Sequence, residues 1–250
     1  MGFTLSHPAL ILPLRYLPRR FYSISGLIAG SIIPDFEYFI RFSHISLFSH
    51  TLSGLFWFDV PSAFLLLFFY HQFVRDAFIA NLPDFLKFRL GNYDSFNWPI
   101  YARRNWHIVL ISIFIGIFSH LFWDSWTSEN GCFVERYPLL LQPFHFANVR
   151  ILFYQIIKQL SSASGALIIS WQLFRLPKRI SSENRKNKQY WPFFFCLFFG
   201  IILLQILIGF PDKSFSCVVK KFLASALASL ALVSLPFQRK RTNPYKTHSL

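Results

Sequence analysis

Five long apolar runs, separated by polar and basic stretches, dominate the hydrophobic pattern of this chain. Each run has roughly the 20 residues that an α-helix needs to cross the hydrocarbon core of a bilayer. The runs are Leu52–Val74, Trp106–Trp126, Ile151–Phe174, Trp191–Phe210 and Cys217–Phe237. We therefore predict an all-α fold, a polytopic membrane helical bundle with about five long spans.

Two shorter apolar segments, residues 1–17 and 22–33, precede the first long run, and a basic turn joins them. The second segment is too short for a full span at about 1.5 Å per residue. It is rich in Ser, Gly and Ala, which allow helices to pack closely in a membrane. We predict a short N-terminal helical hairpin, re-entrant or packed against the bundle, which returns Asp35 to the side on which His7 starts.

The chain has no internal repeat, and we predict a single membrane-embedded domain over residues 1–237. Within it, residues 1–174 carry the candidate site and residues 191–237 form a C-terminal transmembrane hairpin. Residues 238–250 form a basic tail.

Composition supports the membrane assignment and excludes other classes. Of the 250 residues, 54% are hydrophobic and 33 are Phe, which is too apolar for an ordinary soluble domain of this length. The net charge of +14 does not indicate nucleic-acid binding, because the basic residues lie between the apolar runs and form no aromatic and basic patch. The three Cys residues have no C-x-x-C spacing, which argues against a disulfide framework or a cysteine metal site.

The distribution of Lys and Arg predicts an orientation. Four basic segments are placed on one side of the membrane: the turn at 15–20, the connection 75–105, the loop 175–190 and the tail. This side then holds 18 of the 25 Lys and Arg residues, and the opposite side holds six. The positive-inside rule then places the first side in the cytoplasm. We predict a multi-pass protein of the inner (cytoplasmic) membrane with a cytoplasmic C-terminus. The lipid bilayer is its predicted partner, and its oligomeric state stays open.

The candidate chemistry centres on His120 and Asp124, at the end of the second run. Four residues apart on a helix, they lie on one face, one turn from each other. A carboxylate among Phe, Leu and Trp is costly unless a proton, a cation or a metal compensates its charge. In the predicted topology further His and acidic residues share this non-cytoplasmic end, and such a cluster suits a divalent cation. They are His7, Asp35, Glu37 and His50.

Four stretches of the sequence resemble one bacterial membrane family, a domain of unknown function whose members usually begin P-F-T-x-S-H-P. They are G-F-T-L-S-H-P over 2–8, G-S-I-I-P-D-F-E-Y over 30–38, S-H-T-L-S-G-L-F-W-F-D-V-P over 49–61 and S-H-L-F-W-D-S-W-T over 119–127. The resemblance covers residues 1–235, with Gly2 where the family usually has Pro.

The same pattern is similar to inner-membrane proteins described as metal-dependent hydrolases. This resemblance implies a divalent metal, Zn²⁺ or Mn²⁺. It also implies that Glu37 is a further ligand or a base. In a hydrolytic mechanism the catalytic base would be Asp35, Glu37 or Asp124. The metal ligands that the resemblance implies are His7, Asp35, His50, His120 and Asp124.

The function that we predict is metal-dependent hydrolysis of an ester or phosphoester at the membrane surface, with a lipid or lipid-linked substrate. Two alternatives stay open. In the first, the protein is a transporter or proton relay in which Asp59 joins His50, His120 and Asp124 along a polar path. In the second, it is a non-catalytic scaffold whose polar residues hold helices together. For Asp59 itself, a supporting or packing role is the default expectation.

Overall fold

A computed structural model describes residues 4–41, 48–90, 96–146, 149–178, 186–209 and 215–237. The predicted basic tail, 238–250, lies outside these residues. Helices make up most of the described chain, which confirms the all-α prediction. The exception is a small antiparallel hairpin of strands β1 (Pro143–Phe146) and β2 (Val149–Leu152), in which Phe144 pairs with Ile151.

The N-terminal region consists of short helical segments. Helix α2 (Ile24–Ile32) begins at Ser23, whose side chain accepts a hydrogen bond from the Gly26 backbone N–H at 3.3 Å. The other segments are a 3₁₀ turn over Thr4–Ser6, helix α1 (Pro8–Ile11), 3₁₀ turns over Leu12–Tyr16, Arg19–Phe21 and Ile33–Asp35, and helix α3 (Phe36–Arg41).

The first long helix begins with α4 (Leu52–Gly54), where the Thr51 hydroxyl accepts a hydrogen bond from the Gly54 N–H at 2.9 Å. The helix continues to Asn81, seven residues beyond the predicted end at Val74. Its later parts are a π-helical turn over Leu55–Asp59, α5 (Val60–Phe69), a second π-helical turn over Tyr70–Val74 and α6 (Arg75–Asn81).

The predicted polar connection 75–105 is largely helical, because it contains its own start signals. Helix α8 (Trp98–Arg104) has Pro99 in its first turn, and the Asn97 side chain accepts from the Ile100 N–H at 3.3 Å. Helix α7 (Asp84–Leu90) has Asp84 in its first turn.

The remaining helices follow the apolar pattern. They are α9 (Trp106–Thr127), α10 (Cys132–Arg136), a 3₁₀ turn over Pro138–Leu141, α11 (Phe153–Arg175), α12 (Tyr190–Ile208) and α13 (Phe215–Ser234). Among the described residues, four helical stretches are long and apolar enough to cross a membrane. These are Leu55–Asn81, Trp106–Arg136, Tyr190–Ile208 and Cys217–Ser234.

The remaining predicted span, Ile151–Phe174, corresponds to helix α11, which does not share this composition. The first two residues of the predicted span, Ile151 and Leu152, belong to β2. Helix α11 has the length to cross a bilayer but is interrupted by amide, hydroxyl and ammonium side chains. Among them are Gln155, Lys158, Gln159, Ser161, Ser162, Ser164, Ser170 and Gln172. The prediction of about five apolar spans therefore reduces to four in the part of the chain that the structure describes.

By its internal contacts the chain divides into two compact units. The first is formed by Met1–Phe68 and Asn97–Pro177, and the second by Phe69–Phe96 and Lys178–Leu250. In the second, α12 packs along α13, and the fully buried Tyr190 places its hydroxyl 3.0 Å from the Ser234 hydroxyl. The Trp191 indole donates to the Asn81 carbonyl oxygen at 2.7 Å, which holds α12 against the end of α6.

The first unit is built around the close crossing of α2 and α9. A Cβ atom at Gly30 would collide with the Ile113 carbonyl, and a Cβ atom at Gly116 would collide with the Leu27 carbonyl. The Ser23 N–H also donates to the Ser112 hydroxyl at 2.8 Å. This packing explains the small residues of α2, as the sequence predicts, and it brings the C-terminal half of α9 against the segment that carries Asp35.

Candidate metal centre

His120 and Asp124 lie on the buried face of α9, as the spacing predicts. His120 has no exposed surface and Asp124 is almost completely buried. The distance from His120 Nε2 to Asp124 Oδ2 is 3.6 Å. The turn of α9 therefore places an imidazole and a carboxylate side by side in the interior of the first unit.

Asp35 reaches the same point from the end of the 3₁₀ turn that follows α2. Its Oδ1 atom lies 3.6 Å from His120 Nε2, and the side chain is fully buried. The other oxygen, Oδ2, accepts a hydrogen bond from the Thr4 hydroxyl at 2.5 Å. One oxygen of Asp35 is thus held by the protein, and the other faces His120.

His50 completes a group of four from the short loop that precedes the first long helix. Its Nε2 atom lies 3.6 Å from Asp124 Oδ2. One ligand atom from each member of the group lies within 4.8 Å of the others, and the group consists of Asp35, His50, His120 and Asp124. These four predicted ligands, which come from three separate parts of the sequence, converge on one point.

His7 approaches Asp124 from its other side. The His7 Nε2 atom lies 3.5 Å from Asp124 Oδ1, whereas His50 and His120 face Oδ2. The His7 ring stacks on the His120 ring with centroids 4.2 Å apart. The fifth predicted ligand is therefore in contact with the group, on the second oxygen of the shared carboxylate.

Hydrogen bonds to the remaining ring nitrogens define the tautomer of all three histidines. A carbonyl oxygen only accepts, so His120 Nδ1 donates to the Ser31 carbonyl at 2.8 Å and His7 Nδ1 donates to the Thr4 carbonyl at 3.1 Å. His50 Nδ1 lies 3.4 Å from the Ser49 hydroxyl, whose hydrogen is directed to Glu37. In the neutral imidazoles, each Nε2 therefore presents a lone pair to a carboxylate oxygen of Asp124.

Lone pairs of nitrogen and oxygen that face each other repel unless a proton or a metal cation lies between them. His120 Nε2 and Asp35 Oδ1 are both buried and have no hydrogen-bond partner in the described part of the chain. Their 3.6 Å separation is close to the spacing of about 3.3–3.4 Å between two ligands at 2.0–2.1 Å from a tetrahedral zinc ion. Imidazoles oriented by a backbone carbonyl on the opposite nitrogen are also typical of metal sites. The residues therefore fit a divalent metal ion.

Glu37 lies beside the group and anchors the loop that carries His50. Its Oε2 atom accepts hydrogen bonds from the Phe48 N–H at 3.1 Å, the Ser49 N–H at 3.0 Å and the Ser49 hydroxyl at 2.8 Å. The contact with Ser49 extends to His50 Nδ1, so the carboxylate orients the imidazole through a hydroxyl. The same side chain was predicted as a further ligand or a base, and its geometry adds an anchoring role.

Two groups near the centre have unpartnered polar atoms. Both carboxylate oxygens of Asp59 are buried without a hydrogen-bond partner among the described residues, and Asp59 lies within electrostatic reach of His50 and His120. The indole N–H of Trp123 is likewise buried and unpartnered, and its ring contacts His7 with centroids 5.5 Å apart.

Several supporting residues are not predicted from the sequence. Thr4 contributes its hydroxyl to Asp35 and its carbonyl to His7, and Ser31 contributes only a backbone carbonyl, for which the sequence contains no signal. For Ser49 a signal exists, because a hydroxyl residue directly before His50 belongs to the motif that carries the resemblance.

Comparison with known proteins finds a family model described as "Domain of unknown function (DUF4184)", which matches residues 1–236. No curated protein and no solved structure gives a significant match. The matched region contains every residue of the group around Asp124.

Proposed function

The chain belongs to the DUF4184 family, a domain of unknown function, and we propose that it is a membrane hydrolase with a divalent-metal centre. In this proposal Asp35, His50, His120 and Asp124 bind the ion, with His7 on the second oxygen of Asp124. The hydrolase activity is proposed from the chemistry of these side chains. The family match supports membership alone.

A single observation carries the proposal: His120 Nε2 is buried, has no hydrogen-bond partner in the described chain, and faces two carboxylates. It lies 3.6 Å from both Asp35 Oδ1 and Asp124 Oδ2. Its Nδ1 atom donates to Ser31, so Nε2 has no hydrogen to donate unless the ring is cationic. A divalent ion at this point relieves the repulsion and also balances the two carboxylate charges.

Two imidazoles and two carboxylates form a mixed donor set that suits Zn²⁺ or Mn²⁺. A bound ion of this kind would polarise the scissile bond and promote ionisation of the attacking water. The protein itself supplies the orientation of this ligand set: Thr4 holds Asp35, Ser31 holds His120, and Glu37 holds His50 through Ser49. These contacts limit the rotation of the side chains on which ion binding depends.

We assign Asp35 to the ligands, because its free oxygen faces His120. Glu37 is the strongest of the predicted candidates for a base, since Asp35 and Asp124 belong to the four converging ligands and Glu37 does not. The hydrogen bonds that Phe48 and Ser49 donate to Glu37 end on Oε2.

The charge count supports a site at the non-cytoplasmic end of a multi-pass protein of the inner membrane, with the C-terminus in the cytoplasm. A substrate that meets the centre there is a lipid or a lipid-linked ester or phosphoester. Reporter fusions at the C-terminus test the orientation, and a C-terminus exposed on the non-cytoplasmic side would contradict it.

The metal centre is tested by elemental analysis of protein purified in detergent. Wild type is compared with the double variant His120→Ala and Asp124→Ala, and with the control His107→Ala, which removes an exposed imidazole from the same helix. We expect bound Zn or Mn in wild type and the control, and a loss of at least tenfold in the double variant. Equal and negligible metal in all three proteins contradicts the proposal.

Hydrolysis is tested on the same samples with a fluorogenic phospholipid and a soluble aryl phosphodiester. Activity that requires the metal and disappears in the double variant supports the reaction class. Metal binding without hydrolysis of esters or phosphoesters would retain the centre and reject the reaction.

Asp59 favours a second candidate function, a transporter or proton relay. A buried carboxylate without a partner in a span of apolar composition is a common feature of ion pathways. This function predicts ion or proton flux in proteoliposomes that depends on Asp59 and persists when metal is removed. Flux that is absent from wild-type proteoliposomes would exclude it.

A further inference from the structure

We propose that Phe48 and Trp57 bind the apolar chain of an amphiphilic substrate whose polar head reaches the metal centre beside His50. This inference rests on the proposed function, which it extends from the reaction class to the part of the protein that selects the substrate. It assigns a binding role to two side chains that take no part in metal binding.

The metal centre opens on the side of His50. The His50 side chain is 28% exposed, whereas the side chains of His7, Asp35, His120 and Asp124 are between 0% and 8% exposed. A substrate that replaces water at the centre must therefore approach past His50. The residues around this imidazole determine what can approach.

An exposed aromatic pair flanks His50 in the sequence. Phe48 is two residues before His50 and 37% exposed, and Trp57 is 54% exposed. Their rings contact edge to face with centroids 4.9 Å apart, and Phe58 contacts both rings. An aromatic surface of this kind next to a polar centre suits a ligand with an apolar part and a polar part.

The backbone of Phe48 is fixed from two sides. The Phe48 N–H donates to the Glu37 carboxylate at 3.1 Å, so the backbone beneath the Phe48 ring has a buried anchor. The loop also lies directly over Gly54, where a Cβ atom would collide with the Phe48 carbonyl. A preorganised aromatic surface loses little freedom when a ligand binds to it.

The position of the pair indicates a lipid chain as the occupant. Trp57 lies in the first turn of the Leu55–Asn81 stretch, which is apolar enough to cross a membrane. Trp at the end of a span is typical of the boundary between headgroups and acyl chains. A lipid at this boundary would place its chain against the rings and its head near His50, whereas a protein bound to the rings would cover the opening.

The test uses two probes with the same head group. Methylphosphonate and dodecylphosphonate both present a phosphonate to the metal, and neither contains an ester bond that hydrolysis could cleave. The full-length protein is loaded with Co²⁺ in nanodiscs of phosphatidylcholine, and binding is followed by the change in the Co²⁺ absorption spectrum. The variants are the double change Phe48→Ala and Trp57→Ala, and the control Phe193→Ala and Phe199→Ala, which removes two exposed rings from α12.

We expect wild type and control to bind dodecylphosphonate more tightly than methylphosphonate. The Phe48→Ala and Trp57→Ala variant should lose about tenfold in affinity for dodecylphosphonate and keep its affinity for methylphosphonate and for Co²⁺. An unchanged preference for the long chain in this variant would overturn the inference while the metal centre stands. The wild type could instead have twice the mass of this variant while the preference for the long chain is unchanged. In that case the Phe48 and Trp57 rings bind a second copy of the chain and not a lipid.

Two further outcomes have separate meanings. If wild type binds no Co²⁺, the proposed function fails, and the inference fails with it. If the aromatic variant loses Co²⁺ and methylphosphonate as well, the rings support the centre itself and the assignment of a chain-binding role is wrong. The single variants Phe48→Leu and Trp57→Phe, which keep an apolar side chain, separate this case from a general loss of folding.

Discussion

His120 Nδ1 donates to the Ser31 carbonyl oxygen at 2.8 Å, across the crossing of α9 and α2. Helix α9 supplies the imidazole and the last turns of α2 supply the acceptor, so the ring orientation depends on the distance between two helices. Because this hydrogen bond uses Nδ1, the lone pair of Nε2 is directed at Asp35 and Asp124. The geometry of the candidate metal centre is thus linked to the packing of the core.

The crossing itself predicts that Gly116→Ala weakens both folding and the metal centre. The added methyl group would collide with the Leu27 carbonyl, which is backbone and cannot rotate away. We expect a loss of about 1–3 kcal/mol in the free energy of unfolding and a severalfold loss of metal affinity, because the helices must separate near His120. Thermal unfolding and Co²⁺ titration in detergent measure the two effects.

Gly200→Ala is the matched control for this prediction. Gly200 is also helical, but a Cβ atom there meets nothing within 4 Å. This substitution should leave metal affinity unchanged and stabilise the helix by up to about 1 kcal/mol. Equal effects of the two substitutions would show that the close crossing does not limit the stability of the centre.

Metal removal should lower the thermal stability of wild type and leave His50→Ala nearly unaffected. His50 is the only exposed member of the converging four, so its loss removes a ligand at little cost to the core. An ion at 100 times its dissociation constant stabilises the folded state by about 2.7 kcal/mol. The measurement is the unfolding temperature with and without EDTA. An equal shift in wild type and His50→Ala would place the stabilising ion at another site.

The sequence predicts the parts of this fold that depend on local pattern. The span over α9 and the close packing of the small residues of α2 both follow from composition and spacing. The helical continuation from Val74 to Asn81 does not, because residues 75–81 are too polar to resemble a span, and their contacts within the second unit stabilise the helix instead. The length and the apolar residues of α11 predict a membrane span, but its amide and hydroxyl side chains make it less apolar than the other long helices.

The side chains that converge at the candidate centre can be selected from the sequence, whereas the groups that hydrogen-bond to them cannot. Intramembrane His and acidic residues attract attention because their burial is costly, so Asp35, His50, His120 and Asp124 can be selected before the fold is known. Supports such as the Ser31 carbonyl and the Thr4 hydroxyl are common groups whose role depends on tertiary contact. No local signal distinguishes them from the other hydroxyl and backbone groups of the chain.

Asp59→Asn should be at least as stable as wild type. The Asp59 carboxylate is fully buried, and neither oxygen has a hydrogen-bond partner in the described chain. Removing a buried charge that has no partner, without a large change of shape, should raise the free energy of unfolding by up to about 3 kcal/mol. Thermal unfolding measures this change. A loss of stability instead would mean that Asp59 holds a cation or a proton that the fold requires.

Substitutions of Glu37 separate its anchoring role from the predicted role as a base. Glu37→Ala removes the carboxylate that accepts from the Ser49 N–H and from the Ser49 hydroxyl, and we expect a loss of about 2–6 kcal/mol in stability. Glu37→Gln keeps an acceptor oxygen and removes only the charge, so the loss of stability should be about 1 kcal/mol. Co²⁺ affinity should fall severalfold, because His50 is held less firmly.

The measurements are thermal unfolding, Co²⁺ titration and the pH profile of hydrolysis. If Glu37 only anchors the loop, the pH profile of Glu37→Gln keeps its shape. If activity disappears while stability and Co²⁺ affinity stay at the wild-type level, Glu37 takes the proton of the attacking water and anchoring is secondary.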